Sequence, residues 1–195
     1  VTDAPIWIRE WAMPNKDTLT IRPIRELVER YIESVPRERG VLSRLGPVVD
    51  PFARNCELAD ITNDRDTATA ATHHMDVDDF LAMLQAMLRI SGMRPRLVIF
   101  DPPYTYNQLR ESYKQRLTQA EAHRFGIWTK AKNMIAEMQA SGDRVIHMGH
   151  HSNGMCKKRG YGIIEGLIVA HGGAHNDTLV IVEEKLPPEH TPNET

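Results

Sequence analysis

The sequence is poor in cysteine, has no long apolar run and carries little net charge, and each lack removes a class of protein. Its two cysteines, Cys56 and Cys156, give neither a disulfide framework nor the paired spacing of a zinc site. No apolar run approaches the roughly 18 to 20 residues that cross a bilayer, and no basic-then-apolar leader stands at the first residues. The expectation is a reducing, cytoplasmic setting without membrane contact. A formal net charge of −2 excludes a global positive field that coats nucleic acid, so any phosphate contact has to be local. Internal repeats and low-complexity tracts are absent. A glycine-rich dinucleotide fingerprint is also missing after the first buried strand, which argues against a Rossmann-type dehydrogenase.

What is present fits one α/β domain. A chain of 195 residues, 41% of them hydrophobic, is long enough to bury both faces of a central sheet. Residues 1–16, with Trp7, Trp11 and Pro14, read as an irregular arm pinned by its tryptophans. Ile24, Leu27, Val28, Tyr31 and Ile32 have the three-and-four spacing of an amphipathic helix, entered through Pro23 and closed before Pro36. Short strands are predicted at residues 47–50, 59–62 and 72–74, a helix at 78–90, and the clearest buried strand at 96–101. Residues 108–141 suggest two helices divided near 123–126, followed by a strand at 144–148. Residues 162–170 and 178–185 flank a turn-rich segment and read as an antiparallel pair, and the chain after Pro187 is polar and expected to fray.

Strands alternating with helices predict a mostly parallel sheet covered on both faces, with an antiparallel strand from the terminal hairpin. In such sheets ligands gather at the carboxyl ends of the strands, near the switch in strand order. Asp50, Asp64, Asp76 and Asp101 all fall at or just beyond predicted strand ends, so one edge collects four acids.

The sequence Asp101-Pro102-Pro103-Tyr104 carries the most specific chemistry. Two prolines remove two backbone donors and fix two φ angles, giving a rigid turn whose carbonyls remain acceptors. A planar base with an amino group needs two acceptors for its hydrogens and a ring to stack on. The Asp101 carboxylate, the Pro102 carbonyl and the Tyr104 ring can supply all three. Lys157-Lys158-Arg159, after Ser152-Asn153-Gly154, is the densest basic cluster and reads as an exposed, mobile loop able to grip phosphates. The pairs His73-His74 and His150-His151 suggest no metal site, because adjacent side chains diverge on a strand, although His150 or His151 could line a substrate groove.

The segments WAMPNKDTLTIRPIREL, VVDPFARNC, HHMDVDDFL, FDPPYTYNQLRESY, HSNGMCKKRG and HGGAHNDT together resemble the DNA amino-methyltransferases with an Asp-Pro-Pro-Tyr loop, specifically small phage-type or prokaryotic adenine-specific members. The similarity spreads over residues 11 to 185. It implies a Rossmann-like fold with a seven-stranded, mostly parallel sheet, S-adenosylmethionine as cofactor, and duplex or single-stranded DNA as substrate. Asp101, Pro102, Pro103 and Tyr104 would be catalytic. Asp50, Pro51, Phe52 and Ala53 would form the cofactor turn, with Asp64 at the ribose and Asp76 and Val77 at the adenine. Asn15, Lys16 and Thr18, in an N-terminal cofactor arm spanning residues 1–23, and Ile24 directly after it would meet the cofactor, and Asp101 would also border it. Ser152, Asn153, Lys157, Lys158 and Arg159 would meet nucleic acid.

Two departures stand out. The family's commonest cofactor turn has glycines, whereas this one reads Asp50-Pro51-Phe52-Ala53-Arg54-Asn55, so Ala53 would hold the methionine end of the cofactor differently, and Cys156 stands where glycine is expected. The first residue of the tetrapeptide favours adenine over cytosine, where serine is common, and over glutamine amides, where asparagine is usual. A catalytically silent subunit of a larger complex is the contrasting reading, opposed by the intact loop. The expected domain plan is a single catalytic domain over 1–195 with a flexible tail at 187–195 and no separate target-recognition domain. Recognition would then be relaxed and short, or completed by a second subunit or a second copy.

Overall fold

The computed structural model describes residues 4–35, 46–103, 128–173 and 175–188. In chain order these form β1 (Ile6–Trp11), a 3-10 turn (Thr18–Thr20), α1 (Arg22–Ser34), β2 (Val48–Asp50), β3 (Ile61–Thr62), α2 (Val77–Ser91) and β4 (Leu97–Phe100). α3 (Thr129–Met138), β5 (Arg144–Gly149), a second 3-10 turn (Lys157–Arg159), β6 (Tyr161–Ala170) and β7 (Thr178–Lys185) follow.

The local reasons are visible in the residues. Pro23 sits in the first turn of α1, where its missing N–H costs nothing, and Ile24, Leu27, Val28, Tyr31 and Ile32 form its buried stripe. α2 starts at Asp76, whose side chain accepts the Asp78 N–H at 3.1 Å, while Asp78 and Asp79 complement the helix dipole. It ends at Gly92, in the left-handed region at φ 68°. β4 is the apolar run Leu-Val-Ile-Phe and is buried at all four positions, as a central parallel strand must be.

The seven strands make one sheet in the order β1-β6-β7-β5-β4-β2-β3. β7 runs antiparallel to both of its neighbours, β5 and β6, and every other pair is parallel. The terminal hairpin is therefore inserted: β7 returns between β5 and β6 and bonds to both. Strand pleating sends Val48, Leu97, Ile99 and Ile146 to the core shared with α1. Their neighbours Val49, Val98, Phe100 and Val145 go to the core shared with α2 and α3.

Some expectations are corrected. The arm is not irregular, because residues 6–11 pair in register with β6 from Ile6↔Glu165 to Trp11↔Ala170. Pattern could not show this, since all six side chains of β1 are exposed and only backbone pairing makes it a strand. Trp7 does pin the arm: its ring lies over Gly166, leaving no room for a β-carbon there. The strand expected at 72–74 is reduced to a single parallel bridge, Asn63↔His73. Of the two helices expected within 108–141, the second is α3, and the first lies outside the described residues, as does residues 189–195 of the tail. Among the described residues no helix is long and apolar enough to cross a membrane.

Candidate active site

From β2 the chain steps outward to β3 and then crosses back to β4 on the other side, so the switch point lies between the carboxyl ends of β2 and β4. Those ends carry Asp50 and Asp101. Asp50 is almost fully buried and accepts the Phe52 N–H at 3.0 Å. Burial holds its carboxyl well above the usual range, the Phe52 N–H opposes this, and the carboxyls of Asp101 and Asp64 add to it.

Asp101 is half-buried and follows β4 directly. Loss of water pushes its pKa up to about 7, against the hydrogen bond from the Thr18 side chain and the nearby Arg54 charge. The Pro103 carbonyl is held by the Trp128 indole N–H at 3.4 Å. No hydrogen bond from the described residues reaches the Pro102 carbonyl, which stays available as an acceptor. Tyr104, the fourth member of the tetrapeptide, lies outside the described residues.

The turn after β2 is organised by Asn63, which the sequence reading missed. Its amide donates to the Pro51 and Met75 carbonyls at 3.1 and 3.2 Å, accepts from the Met75 N–H at 3.0 Å, and its backbone carbonyl receives the Ala53 N–H at 2.9 Å. Asp64 accepts the backbone N–H groups of Arg54 and Asp66 at 3.1 and 2.8 Å. Arg54 takes a left-handed backbone, φ 50°, a conformation that glycine holds without strain.

A cavity of about 320 Å³ opens beside these groups. The first 3-10 turn with Asp17 forms one wall, the turn from Phe52 to Leu58 another, and Arg25 and Asp101 complete it. Of the expected site residues, Thr18, Phe52, Ala53 and Asp101 line it, and Asp50 and Pro51 lie buried at the same turn. Asn15 and Lys16 are exposed just before it, with the Asn15 side chain accepting the Asp17 N–H at 3.1 Å. Ile24 points elsewhere: it is completely buried in the α1 core and does not line the cavity. Asp76 caps α2 and pairs loosely with Arg65 at 3.7 Å, while Val77 packs into the second core.

An aromatic column supports the loop from below. Phe52 meets Phe100 and Trp128 edge-on, with ring centroids 5.3 and 5.0 Å apart, and Phe100 stacks on His147 at 5.5 Å. Burial, together with Lys132 and His151 nearby, lowers the His147 pKa to about 3, so its ring is neutral. The buried Nδ1 of this ring has no partner.

The basic loop differs from its expected mobile form. The Glu183 carboxylate of β7 accepts the N–H groups of Met155 and Cys156 at 2.6 and 3.2 Å, and Lys132 donates to the Gly154 carbonyl at 2.7 Å. Cys156 adopts φ 66°, a backbone that glycine takes freely. Ser152, Asn153, Lys157 and Lys158 are exposed, but Arg159 is committed to Asn133 at 2.7 Å and to the Met155 carbonyl at 3.0 Å. It clamps the loop to α3. His171, read as part of a polar hairpin, bridges the Ala12 carbonyl and the Thr178 hydroxyl, each at 2.8 Å.

No family model matches the sequence, and no curated protein matches it. Solved structures do. TrmN from Thermus thermophilus aligns with a TM-score of 0.46 and 15% identity, over 85% of this chain and 49% of its own. SMU.776, a protein assigned as a methyltransferase and solved complexed with SAH, aligns with a TM-score of 0.50 and 12% identity, over 82% of this chain and 48% of its own. The fold is a Rossmann-like α/β sheet that this chain shares with SMU.776. This chain spans about half the length of either structure.

Proposed function

We propose that the protein transfers a methyl group from S-adenosylmethionine to the exocyclic amino group of adenine in DNA. The observation that carries this reading is the pair of acceptors at the end of β4: the Asp101 carboxyl, which lines a cavity at the sheet's switch point, and the adjacent Pro102 carbonyl, which receives no hydrogen bond from the described residues. The SAH held by SMU.776, which has the same fold, supports the choice of cofactor.

The residues present fit such a cofactor. Asp17 Oδ1 is a buried acceptor without a hydrogen bond, beside a cavity large enough for a small ligand. The walls from Asp17 to Thr20 and from Phe52 to Leu58 would hold the amino-acid end, and Asp64 would border the ribose. When bound, the cofactor supplies an electrophilic methyl on a sulfonium with a good leaving group.

The protein's own task is then geometric. The Asp101 carboxylate and the Pro102 carbonyl accept the two amine hydrogens, turning the nitrogen lone pair out of conjugation and toward the methyl carbon. With the cofactor bound, the amine's new N–C bond would replace the cofactor's C–S bond, whose electron pair stays with sulfur, and Asp101 would take the proton that the amine releases. Neither cysteine is required. The resemblance adds Tyr104 as the ring on which the base stacks, and reaching the amine requires a flipped or unpaired base. Exposed Lys157 and Lys158, with Ser152 and Asn153, would contact the backbone nearby.

The test is transfer of radiolabelled methyl from cofactor to DNA, followed by digestion to nucleosides. Label is expected in N6-methyl-2′-deoxyadenosine, with Asp101→Ala lowering the rate by about 100-fold or more, the scale of losing one preorganised polar contact. Label in N4-methylcytosine would move the reading to cytosine with the same residues. An unchanged rate in the Asp101→Ala variant would overturn it.

A further inference from the structure

Resting on the cofactor reading above, we propose that Arg54 receives the α-carboxylate at the amino-acid end of the cofactor, so that the cavity selects adenosyl ligands bearing a free amino acid. Arg54 occupies a left-handed position, φ 50°, which glycine would hold without strain. Retaining a side chain there calls for a use of that side chain. The backbone is fixed, since its N–H donates to Asp64 at 3.1 Å, and the residue lines the cavity wall.

The guanidinium is only partly engaged. Its Nε lies 3.0 Å from Asp17 Oδ1, yet that oxygen, shielded from water, makes no hydrogen bond. The pair is thus held by charge without a directional bond. Among the described residues the side chain of Arg54 makes no hydrogen bond, while its charge also acts on Asp64 and Asp101, so its planar fork keeps donors suited to a carboxylate. Arg25, the other cavity cation, already donates its Nε to Glu29 at 2.7 Å along α1. An α-amino acid carries both signs on neighbouring atoms. Arg54 and Asp17 offer the matching pair, a fork for the carboxylate and an unsatisfied acceptor for the ammonium.

The test compares S-adenosylhomocysteine with 5′-methylthioadenosine, which keeps the nucleoside and thioether but lacks the amino-acid end. Calorimetric titrations of the full chain are run for the parent, Arg54→Gly, Arg54→Lys and Arg25→Ala. Glycine suits the backbone at position 54, so thermal melting of Arg54→Gly is expected to match or exceed the parent. Its affinity for S-adenosylhomocysteine should fall about tenfold or more, while 5′-methylthioadenosine changes by less than about twofold, as for loss of one charge-assisted contact. Arg54→Lys should recover part of the loss. Equal losses for both ligands, no loss for either, or a selective loss in Arg25→Ala would overturn the assignment to Arg54 while leaving the cofactor reading standing. A parent protein that binds neither nucleoside would overturn both.

Discussion

Asp101 is asked for two things that conflict. In the proposed reaction it would accept hydrogens from an amine, which the carboxylate does best, yet its surroundings remove the water that stabilises that charge and push its pKa up to about 7. The same conflict makes a stability prediction. In the unfolded chain Asp101 loses its proton near pH 3.8, whereas in the folded chain it keeps the proton to about pH 7. Between those values the native state binds the extra proton, so its contribution to stability falls as pH rises through that window and then levels off. Asp101→Asn should therefore melt higher than the parent at pH 8, by about 1 to 2 kcal/mol after discounting for partial exposure, and by much less at pH 5. Thermal melts at the two pH values check this, and a gap that does not widen with pH would count against it. Methyl transfer by the parent should rise with pH through about 7 as Asp101 ionises.

The inserted strand β7 organises the second half of the site. By passing between β5 and β6 it brings Glu183, at 2% exposure, under the loop after β5, where one carboxylate satisfies two backbone donors. Burial raises the Glu183 proton affinity, and those two N–H bonds with the nearby Lys132 and Arg159 charges oppose the rise. Glu183→Ala would leave both N–H groups buried and unpaired. The expected cost is about 2 to 3 kcal/mol in denaturant melts, larger than for an exposed acid such as Glu26. A change within a few tenths of a kcal/mol would show that the loop does not depend on this anchor. The α2 cap, by contrast, is a local matter settled by Asp76, Asp78 and Gly92.

For the whole molecule the governing quantity is charge. With a net charge of −2 there is no general attraction for polynucleotide, so under the proposed function a small exposed patch would have to provide it. Lys157 and Lys158 are exposed, whereas Arg159 spends its guanidinium within the protein. Lys157→Ala and Lys158→Ala should each weaken binding to a labelled oligonucleotide and lower the slope of log affinity against log salt by about 1. Arg159→Ala should act instead through stability. Fluorescence anisotropy across a salt series reads both, and unchanged slopes in the two lysine variants would remove this patch from the interface.

Much of this was legible along the chain, because the relevant physics is local. A three-and-four apolar stripe makes α1, an unbroken apolar run makes β4, an acid immediately before the helix caps α2, and two prolines after Asp101 stiffen the turn that follows β4. The tertiary structure alone decided the rest. β1 has six exposed side chains and is a strand only because β6 offers it an edge. Asn63 and Glu183 matter through backbone groups that are far away in sequence, and Ile24 left the expected site because packing claimed it for the core. Arg54 sits between the two. Its place in the turn after the first buried strand is written in the sequence, but its partner Asp17 arrives only when the segment before α1 packs against that turn. Side-chain periodicity records which face of an element meets the core, whereas contacts between distant segments depend on where the sheet places them.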